Sequence, residues 1–290
     1  MLASLGAELL KIRKRPSTWV LASIWLAVIV LLNYTLTYAL LSSVPPPASP
    51  EGTPKQPQEQ LQEQFQQQQL RVLYPENLVP NLISGYPNVG APIALILGAL
   101  AAGSEYGWAT FKTVLTQQPG RSAVFFGKLL ALGVVLALLV VLTFATGAVS
   151  GLVVAVLSGA PVKGPPVGEL IRALGAGGLI LATWAALGAL LATLLRSTAL
   201  SIGIGLVYSL GLETVISSMP IQNKTFENTR EFLPGRISAS LANSFSGQAS
   251  GGFSAPIPTV DAWQATLVLL AYTAAFVLLA AYVFSRRDVN

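Results

Sequence analysis

Long apolar runs free of charge dominate the chain. No Asp, Glu, Lys or Arg lies between Arg15 and Glu51, between Lys128 and Lys163, between Arg172 and Arg196, or between Asp261 and Arg286. A helix crossing the hydrocarbon core of a bilayer needs about 20 apolar residues, and each of these gaps holds one. Two further runs are interrupted: 82–104 carries Pro87, Pro92 and several glycines, and 198–219 carries Glu213. Gly and Pro are tolerated in membrane helices. The pattern therefore predicts six crossings, at 17–42, 82–104, 128–157, 174–195, 198–219 and 262–284. The fold class that follows is an all-α integral membrane protein, one transmembrane domain over 1–290.

Between the apolar runs the chain is polar in distinct ways. In residues 1–15, Leu2, Leu5, Leu9 and Ile12 recur at steps of three and four, and Lys11, Arg13, Lys14 and Arg15 cluster behind them. Such a helix lies in the membrane interface with its bases toward anionic head groups. Segment 43–81 opens on Pro45, Pro46 and Pro47 and becomes Gln-rich over 56–69. Leu61, Phe65 and Val72 there are compatible with a marginal helix, and the low complexity equally with disorder. Arg196 and Ser197 make a tight turn between the fourth and fifth crossings. Segment 220–260 is rich in Ser, Gly and Asn, with helix formers over 227–242. Gly147 and Gly151, four apart in the third crossing, permit close approach of another helix.

Composition supports lipid as part of the solvent. Apolar residues make up 53% of the chain and charged residues 10%, against roughly a quarter charged in soluble domains. Bases are unevenly placed. The terminal ones, from Lys11 to Arg15 and at Arg286 and Arg287, fall on one side of six crossings together with Lys112, Arg121, Lys128 and Arg196. The acids on that side are Glu8, Glu105 and Asp288. The positive-inside rule makes that side cytoplasmic, with both termini there. Topology thus accounts for the net charge of +5, and no nucleic acid is implied. The run 19–41 is too long for a signal-peptide core and no clean cleavage site follows it. The chain has no Cys and no His, which excludes disulfides, a Ser-His dyad and His-based zinc sites. No metal site is expected.

The loop at 105–127 is the most informative stretch. Helix–helix connections commonly run roughly two to eight residues, so this one is built to touch something, a soluble partner on its own side being the natural candidate. Gly120 and Gly127-Lys128 do not make a phosphate loop, because six residues separate the glycines and Leu129 follows the lysine, where the motif needs four and then Ser or Thr. Glu105, Gly107, Thr110, Val114-Leu115, Pro119, Arg121 and Gly127-Lys128, in that order, resemble the corresponding loop of ABC-2 transporter membrane subunits. Glu8 through Pro16 resembles that family's interfacial elbow helix, Leu233-Pro234 its external hairpin, and Phe284 through Asp288 its usual ending.

The resemblance implies an ABC-2 (type V exporter-like) fold and a permease subunit of a bacterial exporter. It implies two separate ATPase subunits that bind ATP and magnesium, a second permease copy (identical or related), and a prokaryotic cytoplasmic membrane with its lipids. This chain itself would bind no cofactor and catalyse nothing. The segment 111–118 would be the coupling helix, so Glu105, Gly107, Thr110, Phe111, Lys112, Leu115, Pro119 and Arg121 are the coupling candidates. Glu105 would brace the loop against Arg121 or Lys128. A hydrophobic or amphiphilic substrate suits a path nearly free of charge.

Glu213, with Tyr208 and Trp184, is the candidate for the translocation path. A charge inside an apolar span is costly unless neutral, paired or wet. Two readings stay open: a residue lining the path or a dimer seam, and a residue near enough to the outer interface to be solvated. The competing functional classes are a secondary transporter or channel, for which Glu213 alone is thin support, and a non-transporting scaffold. Copurification of an ATPase separates them.

Overall fold

In hydrocarbon a backbone must satisfy its own polar groups, and for runs of this length that means helices. The computed structural model describes residues 2–43, 65, 68–107, 121–218, 230–245 and 260–286. Among the described residues six helices are long and apolar enough to cross a membrane: Pro16–Ser42, Tyr86–Gly103, Phe125–Leu157, Val167–Leu195, Thr198–Ile216 and Ala262–Arg286. In chain order we label α1 (Leu2–Lys14), α2 (Pro16–Ser42), α3 (Leu78–Ile83), α4 (Ala91–Gly107), α5 (Arg121–Leu157), α6 (Val167–Leu195), α7 (Thr198–Ile216), α8 (Pro234–Asn243) and α9 (Ala262–Arg286). Six crossings leave α1 and the end of α9 on one side, called terminal here, and α3 and α8 on the other, called distal.

The second and fourth crossings form the interior. Within the chain 61% of each apolar window is buried, against 17% for α2, 17% for α7 and 11% for α9. Glycine makes this central pair possible. A Cβ on Gly98 would run into the Ala185 carbonyl, and one on Gly188 into the Leu95 carbonyl. The two backbones meet directly, as small residues allow in membranes. Leu31, Leu36 and Leu40 on α2, and Val207, Leu210 and Val215 on α7, are exposed and face lipid or another chain.

Several boundaries differ from the hydropathy pattern. Helix α6 begins at Val167 rather than 174, because its first turns carry Glu169 and Arg172 at the distal end, where head groups and water solvate charge. Helix α5 begins at Arg121 rather than 128 and α4 continues to Gly107, so helix enters the 105–127 loop from both ends. Leu82 and Ile83 belong to the separate short helix α3. Beyond it the chain enters α4 through a π-helical turn, Tyr86–Gly90, closed by Ala91 N donating to Tyr86 O. Pro92 has no N–H to return to that turn. Of the stretch 227–242, residues 227–229 lie outside the described residues, Arg230 and Glu231 are helical, and α8 starts at Pro234 after a break. Leu233 before it is extended (ψ 137°) and proline takes the first helical position, which suits it because its missing N–H would be unpaired there anyway.

The distal segment before α4 is no loose loop. Leu70, Leu73, Tyr74, Leu78, Val79, Leu82 and Ile83 are buried, and the segment packs on α5. A Cβ on Gly147 would meet the Leu82 side chain and one on Gly151 the Leu73 carbonyl. The paired glycines of the third crossing therefore receive this chain's own distal segment. At its edge Arg71 Nε donates to Glu76 Oε1 (2.6 Å), and that bond raises the guanidinium pKa above its usual value.

On the terminal side α1 lies against α5. Its Glu8–Lys11 pair is 2.9 Å, and Arg15 Nη1 donates to Leu100 O (3.4 Å) in α4. The turn from α6 to α7 is tight: Arg196 adopts a left-handed φ of 51° and the Ser197 hydroxyl accepts from Leu200 N.

Candidate functional site

Helix α8 needs an acceptor at its start. Pro234 has no N–H and Leu233 has no side-chain oxygen, so the N–H groups of Gly235 and Arg236 are orphan donors of the first turn. The acceptor comes from another helix. Glu213 lies near the distal end of α7, directly after the π-helical turn Val207–Leu212. Its Oε1 accepts from Gly235 N at 2.5 Å and from Arg236 N at 3.2 Å. The carboxylate is 5% exposed, and the positive end of the helix dipole faces it. A Cβ on Gly235 would sit 2.7 Å from the Glu213 carboxyl group, so a side chain there would push the carboxylate away from these donors.

Two more crossings hold the same helix. Trp184 on α6, 1% exposed, donates its Nε1–H to Ser238 Oγ (3.2 Å). Ser238 in turn donates to Pro234 O (2.7 Å). From α9, Tyr272 donates its hydroxyl to Phe232 O (2.8 Å) and stacks on Phe276 with centroids 5.6 Å apart. Tyr208, half-buried on α7, lies 6.2 Å from the Trp184 ring. Ile237, Leu241 and Ala242 bury the remaining face of α8. The structure thus brings Glu213, Tyr208 and Trp184 together, around a short distal helix clasped by α6, α7 and α9. These groups position α8 against its neighbouring crossings.

Of the coupling candidates, Glu105 and Gly107 lie on the last turns of α4 and Arg121 opens α5, but their side chains are outside the described residues. Thr110, Phe111, Lys112, Leu115 and Pro119 lie outside them altogether. The described end of α5 is firmly tied. Phe125 is 4% exposed, its ring 5.3 Å from Phe284 of α9, and it clusters with Leu190 of α6 and Ala280 of α9.

One buried polar contact escaped the sequence reading. Trp25 on α2 donates its indole N–H to Thr143 Oγ1 (2.7 Å) on α5, and Thr143 donates to Leu139 O. Tyr86 packs edge-on against Trp25 with centroids 5.6 Å apart. This cluster joins the outer helix α2 to the interior. The only sequence signal was a Trp and a Thr in separate apolar spans, which says nothing of their meeting.

A family model described as ABC-2 family transporter protein matches residues 2–289. No curated protein matches the sequence. With six apolar crossings and a match over nearly its whole length, the chain belongs to the ABC-2 family of transporter proteins and is a multi-pass membrane permease component of an ABC transporter.

Proposed function

We propose that the chain works with two separate ATPase subunits and a second permease copy to export an amphiphilic or hydrophobic substrate across a prokaryotic cytoplasmic membrane. Both termini then face the cytoplasm, as the clustering of Lys and Arg on the terminal side supports. Helix α1 is the interfacial elbow. ATP and magnesium belong to the ATPase subunits, and this chain supplies docking and a path.

The observation that carries the reading is that α6 and α9 are held at two depths along the bundle. On the terminal side Phe125 ties them to the loop-proximal end of α5. Within the spans, Trp184, in the middle of α6, donates to Ser238 of α8, and Tyr272 of α9 donates to Phe232 just before it. Segment 111–118, with Glu105, Gly107, Thr110 and Arg121 framing it, seats in the ATPase. Closure of the ATPases moves that segment, α5 passes the displacement to α6 and α9, and α8 shifts relative to Glu213. Helix α8 is the outer gate of the path, and Glu213, Tyr208 and Trp184 line its hinge side.

The test is purification of the tagged chain from its host in mild detergent with mass spectrometry of what accompanies it. A stoichiometric ATPase is expected, and it is lost when 111–118 is deleted. An ATPase that stays bound, with transport intact, after that deletion removes the coupling assignment. Absence of any ATPase across several detergents sinks the permease–ATPase pairing.

A further inference from the structure

A cavity of about 540 Å³ opens at the distal ends of α6 and α9, beside the last turn of α8. It is distinct from the Glu213 contact, which lies at the other end of α8. Its walls change character with depth. Toward the rim stand Glu169, Arg172 and Trp263, within the first turns of α6 and α9. Deeper, the lining is Ala176, Leu179 and Leu241. Leu179 lies ten positions beyond Glu169, about 15 Å down a helix axis, and so beyond the start of the apolar core at 174. The cavity therefore runs from head-group level into the hydrocarbon of one leaflet. Trp263 is 62% exposed, at the depth where tryptophan anchors to the membrane interface. Leu267 and Leu270, further along α9, are exposed and apolar.

We propose that this cavity binds one zwitterionic phospholipid of the distal leaflet, its phosphate on Arg172, its ammonium on Glu169, and an acyl chain along Leu179 and α9. The charges select the head group. A guanidinium offers paired donors to phosphate, and Arg172 is steadied by its Nε donating to Gly168 O (3.2 Å). A lone phosphate would satisfy Arg172 but leave the apolar depth empty. Phosphatidylglycerol would satisfy Arg172 but offer Glu169 only a neutral hydroxyl in place of a cation. A primary ammonium with a phosphate, as in phosphatidylethanolamine, satisfies both. Glu169 and Arg172 belong to neither of the ion pairs formed among the described residues by Lys11–Glu8 and Arg71–Glu76. The volume lies within the roughly 300–1,000 Å³ typical of ligand sites.

The test uses the full chain, with whatever subunits accompany it, delipidated in detergent and titrated with phosphatidylethanolamine, phosphatidylglycerol or inorganic phosphate under native mass spectrometry. Phosphatidylethanolamine is expected to be retained about tenfold better than phosphatidylglycerol. Arg172→Ala should cut that retention about tenfold, Arg172→Lys should keep most of it, and Glu169→Gln should erase the preference over phosphatidylglycerol. Both positions are at the membrane surface, and size-exclusion profiles confirm folding before lipid is compared. Equal retention of the two lipids by the wild-type chain, binding unchanged in Arg172→Ala, or phosphate alone competing fully would each overturn the proposal. The readout needs no ATPase, so it is independent of the permease–ATPase pairing.

Discussion

Glu213 joins two elements through a pair of backbone N–H groups, and the contact can be dissected at single residues. Glu213→Ala leaves Gly235 N and Arg236 N without their acceptor, a loss of about 1–3 kcal/mol for buried donors. Hydrogen exchange should report it as faster opening of the amides of α8, about tenfold for each 1.4 kcal/mol, with little change in α4. Gly235→Ala puts a methyl group 2.7 Å from the carboxyl group, which can swing aside, and should cost no more than Glu213→Ala. Because both changes break one contact, the double variant should be less destabilised than the two single losses added together, as neighbours in a double-mutant cycle are. Strict additivity would mean that Glu213 does not hold α8. The resulting role is narrower than the two sequence readings of Glu213. Burial keeps it from being a solvated interface acid, and its oxygen is occupied by a helix of its own chain.

Among elements, the crossing of α4 and α6 organises the bundle. Gly98 and Gly188 place backbone on backbone, and neither position has room to relax. Gly98→Val forces the helices apart, and overpacking of this kind costs about 1–3 kcal/mol or more. It should lower the thermal unfolding midpoint in detergent clearly. The same change at Gly133, whose Cβ would meet nothing within 4 Å, should leave it nearly unchanged. If both variants melt alike, α4 and α6 do not meet as described. The glycine pair at 147 and 151 carries a related lesson. Small residues four apart announce that something approaches closely, and here it is the short distal segment through Leu73 and Leu82.

For the whole molecule, absence of cysteine makes topology directly measurable. A single cysteine at Lys163 should react with a membrane-impermeant maleimide added to intact cells, and one at Asp288 only after the membrane is opened. The reverse pattern would invert the protein and reassign α8 to the cytoplasmic side. Charge asymmetry supports the first outcome: bases gather near α1 and the end of α9, whereas α8 carries Arg236 alone among its residues. Labelling at both positions in intact cells would contradict six crossings.

The number of crossings was legible in the sequence because hydrocarbon penalises every unpaired charge and leaves long uncharged runs as the record. The turn at Arg196 and Ser197 was legible for the same local reasons. Where helices begin was less so. Hydropathy marks the depth of lipid, not the reach of backbone hydrogen bonds, so α5 and α6 extend past their apolar cores and α8 waits for Pro234. Family likeness was legible through the order of Glu105, Gly107, Thr110, Pro119 and Arg121, although those side chains lie outside the described structure. What only the tertiary structure decided is which residues far apart in the chain meet. Glu213 with Gly235, Trp184 with Ser238, Trp25 with Thr143, and Arg172 with Trp263 around one cavity follow from how helices pack, and a one-dimensional pattern of polarity carries no information about that contact geometry.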